Sequence, residues 1–416
     1  MALPSDVPVV APATRGPAAP PGRVVGLDGI RGLAALFVVL NHVYLRAWPG
    51  FPADRAPFWA GALIYGRFAV IVFIALSGFS LALPPARSGW RLDSLATFAR
   101  RRAWRILPPY WAALAFSLAM TWYVLAQPGW PVPDRRSVVV YALLVQDAVP
   151  AAVPNRAFWS IAVEAQLYVL LPLLLLAARR LGAAAMVGVV AAVVGTVGLL
   201  GPHVAVVDDV VRGLTPDLAV LFAIGVLAAG IVVAGGRMRS LPWHLFALGA
   251  AVPVVVLIAV EGAIWTNEHL FWVDLAWGPA IGCFLAAVAT FRPRRVVRVL
   301  DTRGLRSLGG FSYSLYLTHA PIVIAVAYGL VLGRVPTGTP TFLVLTALVV
   351  PLTLVFARGF AAVFELPFQR HRGWAPLLRA VRGHLLREPG RRSPAGGPGR
   401  PAVPAPAVRT GPPSTG

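Results

Sequence analysis

Apolar residues run along this chain in long blocks, separated by short stretches rich in arginine, proline and glycine. A block needs about 20 residues to cross roughly 30 Å of hydrocarbon at about 1.5 Å per residue. Blocks of that order fall at roughly 27–47, 58–83, 103–126, 159–177 and 182–200, and again at 214–234, 243–260, 271–291, 311–333 and 340–363. The pattern predicts an all-α, polytopic transmembrane helix bundle of about ten spans. A further apolar stretch, 138–149, is too short to span and predicts a short interfacial helix.

Composition agrees with that pattern and charge adds an orientation. Of 416 residues, 58% are hydrophobic and 13% charged, with a mean hydropathy of +0.73, more apolar surface than a water-soluble fold can cover. Basic residues outnumber acidic ones 37 to 16, and all 37 are arginine. That excess alone would suit nucleic acid, but its placement does not. Arg87, Arg91 and Arg100–Arg105 share one side of the predicted bundle with Arg179, Arg180, Arg237 and Arg239 and with the cluster from Arg292 to Arg306, while Asp208, Asp209, Glu261 and Glu268 collect on the other. This positive-inside bias predicts a multi-pass protein of the cell (plasma) membrane, with both termini cytoplasmic and the arginines against membrane lipid head groups. No nucleic-acid partner is expected.

Residues 1–22 and 371–416 are expected to be cytoplasmic tails flanking a transmembrane domain over 23–370, because Pro, Gly, Ala and Arg dominate them and aromatic residues are few. No cleavable signal peptide is apparent at the start, and no repeat of matching spans stands out. The single cysteine, Cys283, lies in an apolar run and leaves no intrachain disulfide or thiolate metal site; no metal is expected.

Ionisable groups are costly inside hydrocarbon, so each one in a span is a functional candidate. The first span carries Asp28, Arg31 and His42 on one helix face, with His42 about 16 Å along the axis from Arg31. Asp28 reads best as a helix cap paired to Arg31. In the fourth span Ser160, Glu164 and Tyr168 share a face, and Glu164 falls near the depth of His42. A carboxylate and an imidazole at one depth can pair, the acid fixing the tautomer of the ring. For Arg67 three roles stay open: answering Glu164, lining an acceptor pocket, or snorkelling outward. Ser312, Tyr316 and His319 share a face of the ninth span, suited to substrate binding or to helix–helix hydrogen bonds. Arg100, Arg101, Arg102 and Arg105, just ahead of the third span, suit phosphate oxygens, although positive-inside bias also accounts for them.

Together these stretches resemble the acyltransferase-3 family of integral-membrane acyltransferases, over most of residues 24–370. Arg31 and His42, ten residues apart in between, match its first motif, with Asn41 beside the histidine. Ser77-Gly78-Phe79, the segment Arg101–Trp111, Trp159-Ser160 with Glu164 and Tyr168, and Ser312-Tyr313 with Tyr316, Leu317 and His319 follow in the family's order. The chain departs from the pattern at Ile71, where an acid is frequent, and at Leu167, where phenylalanine is.

The resemblance implies acyl transfer, commonly of acetyl, from cytoplasmic acyl-CoA as cosubstrate, with no bound cofactor, to a hydroxyl of a carbohydrate or glycosylated small-molecule acceptor. On that reading His42, Glu164 and Arg31 are the catalytic candidates. Arg100, Arg101, Arg102, Arg105 and Ser77 are the acyl-CoA-binding ones, and Arg67, Tyr168, Tyr316 and His319 contact substrate. A covalent acyl-histidine stands as an alternative to direct transfer. A macrolide-type secondary metabolite is the other acceptor class considered, and a proton-coupled transporter is the reading from a different class.

Overall fold

The computed structural model describes residues 24–50, 56–125, 131–371, 373, 375–376 and 378–379. The expected tails therefore lie almost wholly outside the described residues. Ten long helices follow one another: α1 (Leu27–Ala47), α2 (Arg67–Arg87), α3 (Leu95–Ala119), α4 (Trp159–Leu181), α5 (Ala183–Leu200), α6 (Asp217–Ala234), α7 (Trp243–Glu268), α8 (Leu270–Ala289), α9 (Ser312–Val326) and α10 (Thr339–Phe360). Among the described residues, nine helices are long and apolar enough to cross a membrane, and these are all of the ten except α3. The first turns of α3 hold Arg100, Arg101, Arg102 and Arg105, but from Ile106 through Val124 no charge interrupts the chain. The chain is a multi-pass, all-helical membrane protein.

Several boundaries differ from the hydropathy reading: α3 begins at Leu95 and α7 runs on to Glu268, and two further differences have local reasons. The second block opens with two short turns, Phe58–Gly61 and Ala62–Tyr65, and the continuous helix starts only at Arg67. Arg67 thus stands at a helix start, where it can reach neighbouring helices. The expected short helix runs over Arg135–Ala142, with Asp134 as its cap accepting from the Ser137 N–H at 2.8 Å. Its eight residues extend about 12 Å, well short of a span.

Hydrocarbon supplies little drive to bring apolar helices together, so close backbone approach at small residues does much of that work. Helices α2 and α6 show it. A Cβ on Gly78 would lie 2.2 Å from the Phe222 carbonyl oxygen, and one on Gly225 would lie 2.0 Å from that of Ala75. The two glycines interlock, each filling the gap opposite the other helix's backbone. At the other extreme α7 presents Leu245, Leu248, Val252, Val255, Val256 and Val260 outward, as a lipid-facing helix should.

The centre of the bundle belongs to α9. Ser314, Leu315, Leu317, Thr318 and His319 are fully enclosed there, by helices that include α1, α3 and α10. Three helices widen into a π turn at their ends: α3 over Met120–Val124, α9 over Ala327–Val331 and α10 over Ala361–Glu365. Such turns shift the side chains of one helical turn and are frequent at functional sites.

Candidate active site

A cavity of about 290 Å³ opens between α1, α2, α3, α4 and α9 and the end of the last span. Its charged lining is balanced, with Arg31, Arg102 and Arg105 against Asp28, Glu164 and Glu365. The first turn of α1 supplies one edge. Arg31 donates from Nη1 to Asp28 at 2.8 Å and from Nη2 to the Ser80 hydroxyl of α2 at 2.8 Å, so the guanidinium is aimed by a neighbour on its own helix and by one across the cavity. Arg102, two turns into α3, shares the cavity lining with Tyr168 and Glu164 and interacts electrostatically with both. Arg105 interacts electrostatically with both Arg31 and Glu365. Arg100 and Arg101 are exposed and line no part of the cavity.

Glu164 organises the inner wall. Its Oε1 accepts from the Ser77 hydroxyl at 2.8 Å and from the Tyr168 hydroxyl at 2.5 Å. The helical period puts Ser160, Glu164 and Tyr168 on one face of α4, and all three line the cavity. One turn earlier, the Ser160 and Tyr316 hydroxyls lie 2.7 Å apart. The Ser-Gly-Phe run of α2 thereby acquires a separate physical reason for each residue. Ser77 donates to Glu164, Gly78 admits the backbone of α6, and Phe79 is fully enclosed.

The expected contact between His42 and Glu164 is not formed. Glu164 turns to Ser77 and Tyr168, whereas the His42 ring meets His319, with centroids 4.8 Å apart and planes at 88°. His42 does not line the cavity. Tyr316 stands between the cavity and the histidines, since it lines the cavity while its ring lies 5.8 Å from that of His319. Beside His42, Asn41 donates to the Leu63 carbonyl at 2.7 Å and to the Ile64 carbonyl at 3.3 Å, tying α1 to the turn that precedes α2.

Arg67 pairs with two acids other than Glu164. Its Nε donates to Asp274 of α8 at 2.6 Å, its Nη2 donates to Asp217 of α6 at 3.1 Å, and the guanidinium carbon lies 5.1 Å from the centre of the Trp159 ring. Both acids are buried. Asp217 and Asp274 passed unnoticed in the sequence, although each is an acid inside an apolar block and meets the criterion applied to Arg67. Glu365 is a third omission. It lies two residues beyond the last predicted span, yet it is buried, accepting from the Ser314 hydroxyl at 2.5 Å and from Gln369 at 2.9 Å. It sits at the end of the π turn and lines the cavity.

The profile of the acyltransferase-3 family, described as an acyltransferase domain, matches residues 24–358. Among curated proteins, the O-acetyltransferase OatA of Staphylococcus aureus is 21% identical over 384 residues, covering 83% of this chain and 59% of that protein. Protein 2 in picA locus of Rhizobium radiobacter is 36% identical over 123 residues, 29% of this chain and 58% of that protein. The chain thus spans somewhat under three fifths of the length of these curated relatives. No solved structure matches. With the profile extending from the start of α1 into the last span, and so across every helix that lines the cavity up to Arg358, this chain belongs to the acyltransferase-3 family.

Proposed function

We propose that this protein is an integral-membrane O-acyltransferase that carries an acyl group, acetyl in the simplest case, from acyl-CoA to a hydroxyl of a carbohydrate or glycosylated acceptor. Family membership and the likeness to an O-acetyltransferase support the reaction class. The observation that carries the reading is the cavity itself, where three guanidiniums face an inner wall that ends at the Ser160–Tyr316 pair, with the Tyr316 ring against His319 and His319 against His42.

Arg31, Arg102 and Arg105 supply fixed positive charge suited to the phosphates of a nucleotide thioester. A narrow pantetheine arm would carry the thioester inward past Glu164 towards Tyr316. His42 is half-buried, about 16 Å along α1 from Arg31, and is the base for the acceptor. It takes the proton of the acceptor hydroxyl as that oxygen attacks the thioester carbonyl. The carbon–sulfur bond breaks, and the protonated imidazole returns the proton to the departing thiolate. Glu164 keeps Ser77, Tyr168 and Arg102 in place around the arm, a different task from orienting the histidine. The arginine-rich side faces the cytoplasm of the cell membrane, where the donor is made.

The test is release of free thiol from acetyl-CoA by membranes holding the wild-type chain or His42→Ala, with peptidoglycan fragments and glycosylated small molecules as acceptors. Acceptor-dependent release should fall by at least about 100-fold in the variant, the lower end of what a general base contributes. Release at the wild-type rate from His42→Ala would remove the histidine from the reaction.

A further inference from the structure

His319 was expected to touch substrate, but its ring is fully enclosed and lines no part of the cavity. Its surroundings give it another task. The Nδ1 atom lies 2.7 Å from the Tyr316 carbonyl and 3.2 Å from the Leu315 carbonyl. A carbonyl can only accept, so Nδ1 must carry the hydrogen, and the neutral ring then presents a bare lone pair at Nε2. That Nε2 is buried and has no hydrogen-bond partner among the described residues. An acceptor left unmet in the interior is costly, and an ordinary structural histidine would have both nitrogens satisfied. The ring packed perpendicular to it, at a centroid separation of 4.8 Å, is that of His42.

We infer that His319 is the positioning residue of His42, its Nε2 lone pair receiving one N–H of that ring so that the other nitrogen stays bare and faces the acceptor hydroxyl. The inference rests on the acyl-transfer reading above, since it assigns a partner to the base proposed there. In the structure the two rings meet edge to face and Nε2 has no partner among the described residues, so a turn of the His42 ring is what completes the chain of contacts. Backbone carbonyls hold the Nδ1 hydrogen of His319, its Nε2 takes the N–H of His42, and the remaining lone pair of His42 is the one that accepts a proton. In hydrolase triads a carboxylate does this orienting; here a neutral imidazole anchored to the backbone does it. No charge need be buried beside the base.

Two variants and one spectrum decide the matter in the full-length, membrane-embedded protein. His319→Gln retains a donor and an acceptor on the side chain, and should keep kcat within a few-fold of wild type. His319→Leu keeps the bulk and loses both, and should lower kcat by about tenfold to a hundredfold while leaving the KM for acetyl-CoA unchanged. In the wild-type protein, solid-state 15N NMR of labelled histidine should find His42 in a single tautomer and the His319 Nε2 as a hydrogen-bond acceptor. Exchange between two His42 tautomers would overturn the inference without requiring any variant to fold. So would wild-type kcat in His319→Leu with His42→Ala inactive, or a change confined to KM, which is the mark of a substrate contact. Retained activity in His42→Ala would instead sink the acyl-transfer reading on which the inference stands.

Discussion

Glu164 shows how an intramembrane carboxylate can be placed without a cation bonded directly to it. Two hydroxyls, from Ser77 and Tyr168, converge on one of its oxygens, and Arg102 stands behind the tyrosine. Replacing Glu164 with Gln keeps a carbonyl oxygen for those hydroxyls and removes the charge that Arg102 feels. Acyl transfer in Glu164→Gln should therefore drop because acyl-CoA is held less well, with KM rising more than kcat falls, while yield in the membrane stays near wild type. Steady-state kinetics against acetyl-CoA reads this directly. A collapse of kcat at constant KM would instead put the carboxylate in the chemical step. At this scale the sequence was legible in its choice of residues and less so in their pairing. Helical periodicity puts Ser160, Glu164 and Tyr168 on one face, but no period relates α4 to α1, so depth alone suggested a bond between His42 and Glu164 that the packing does not make. Asp217 and Asp274 were in view as lone acids in apolar blocks, whereas Glu365 was hidden, because it lies just past the end of the last apolar block.

Most helix boundaries followed from apolar length, and some shifted where local contacts intervene. Helices α5, α6 and α8 begin and end within a few residues of their apolar blocks. The second block does not, because the chain from Phe58 to Gly66 forms short turns pinned by Asn41 before α2 begins. The helix pair most exposed to a test is α2 with α6, where the two glycines interlock. A methyl group at Gly225 would have to sit 2.0 Å from a backbone oxygen, and backbone cannot move aside as a flexible side chain does. Gly225→Ala should lower thermal stability in detergent by about 1–3 kcal/mol, the usual range for overpacking, and reduce the amount of folded protein recovered. Gly249→Ala, on lipid-facing α7 with open space around it, is the matched control and should change neither quantity. Equal melting of the two variants would mean that close approach at Gly225 is not what holds the pair.

Across the whole molecule the charges fall into three groups with separate tasks. Exposed arginines such as Arg100 and Arg101 mark one side of the membrane, Arg67 joins α2 to α6 and α8 through two buried acids, and Arg31, Arg102 and Arg105 line the cavity. Sequence could not divide the run Arg100–Arg105 between the first and last of these groups, because the division depends on which side of α3 meets α4 and α9. The division is also where the account is most exposed. The full-length protein in nanodiscs, titrated calorimetrically with a non-transferable thioether analogue of acetyl-CoA, should bind saturably. Arg102→Ala with Arg105→Ala should weaken that binding at least about tenfold, the effect of losing even one charged hydrogen bond to phosphate, and Arg100→Ala with Arg101→Ala should leave it unchanged. Equal affinity in the two double variants, or no binding by the wild type, would contradict the assignment of the cavity to the acyl donor.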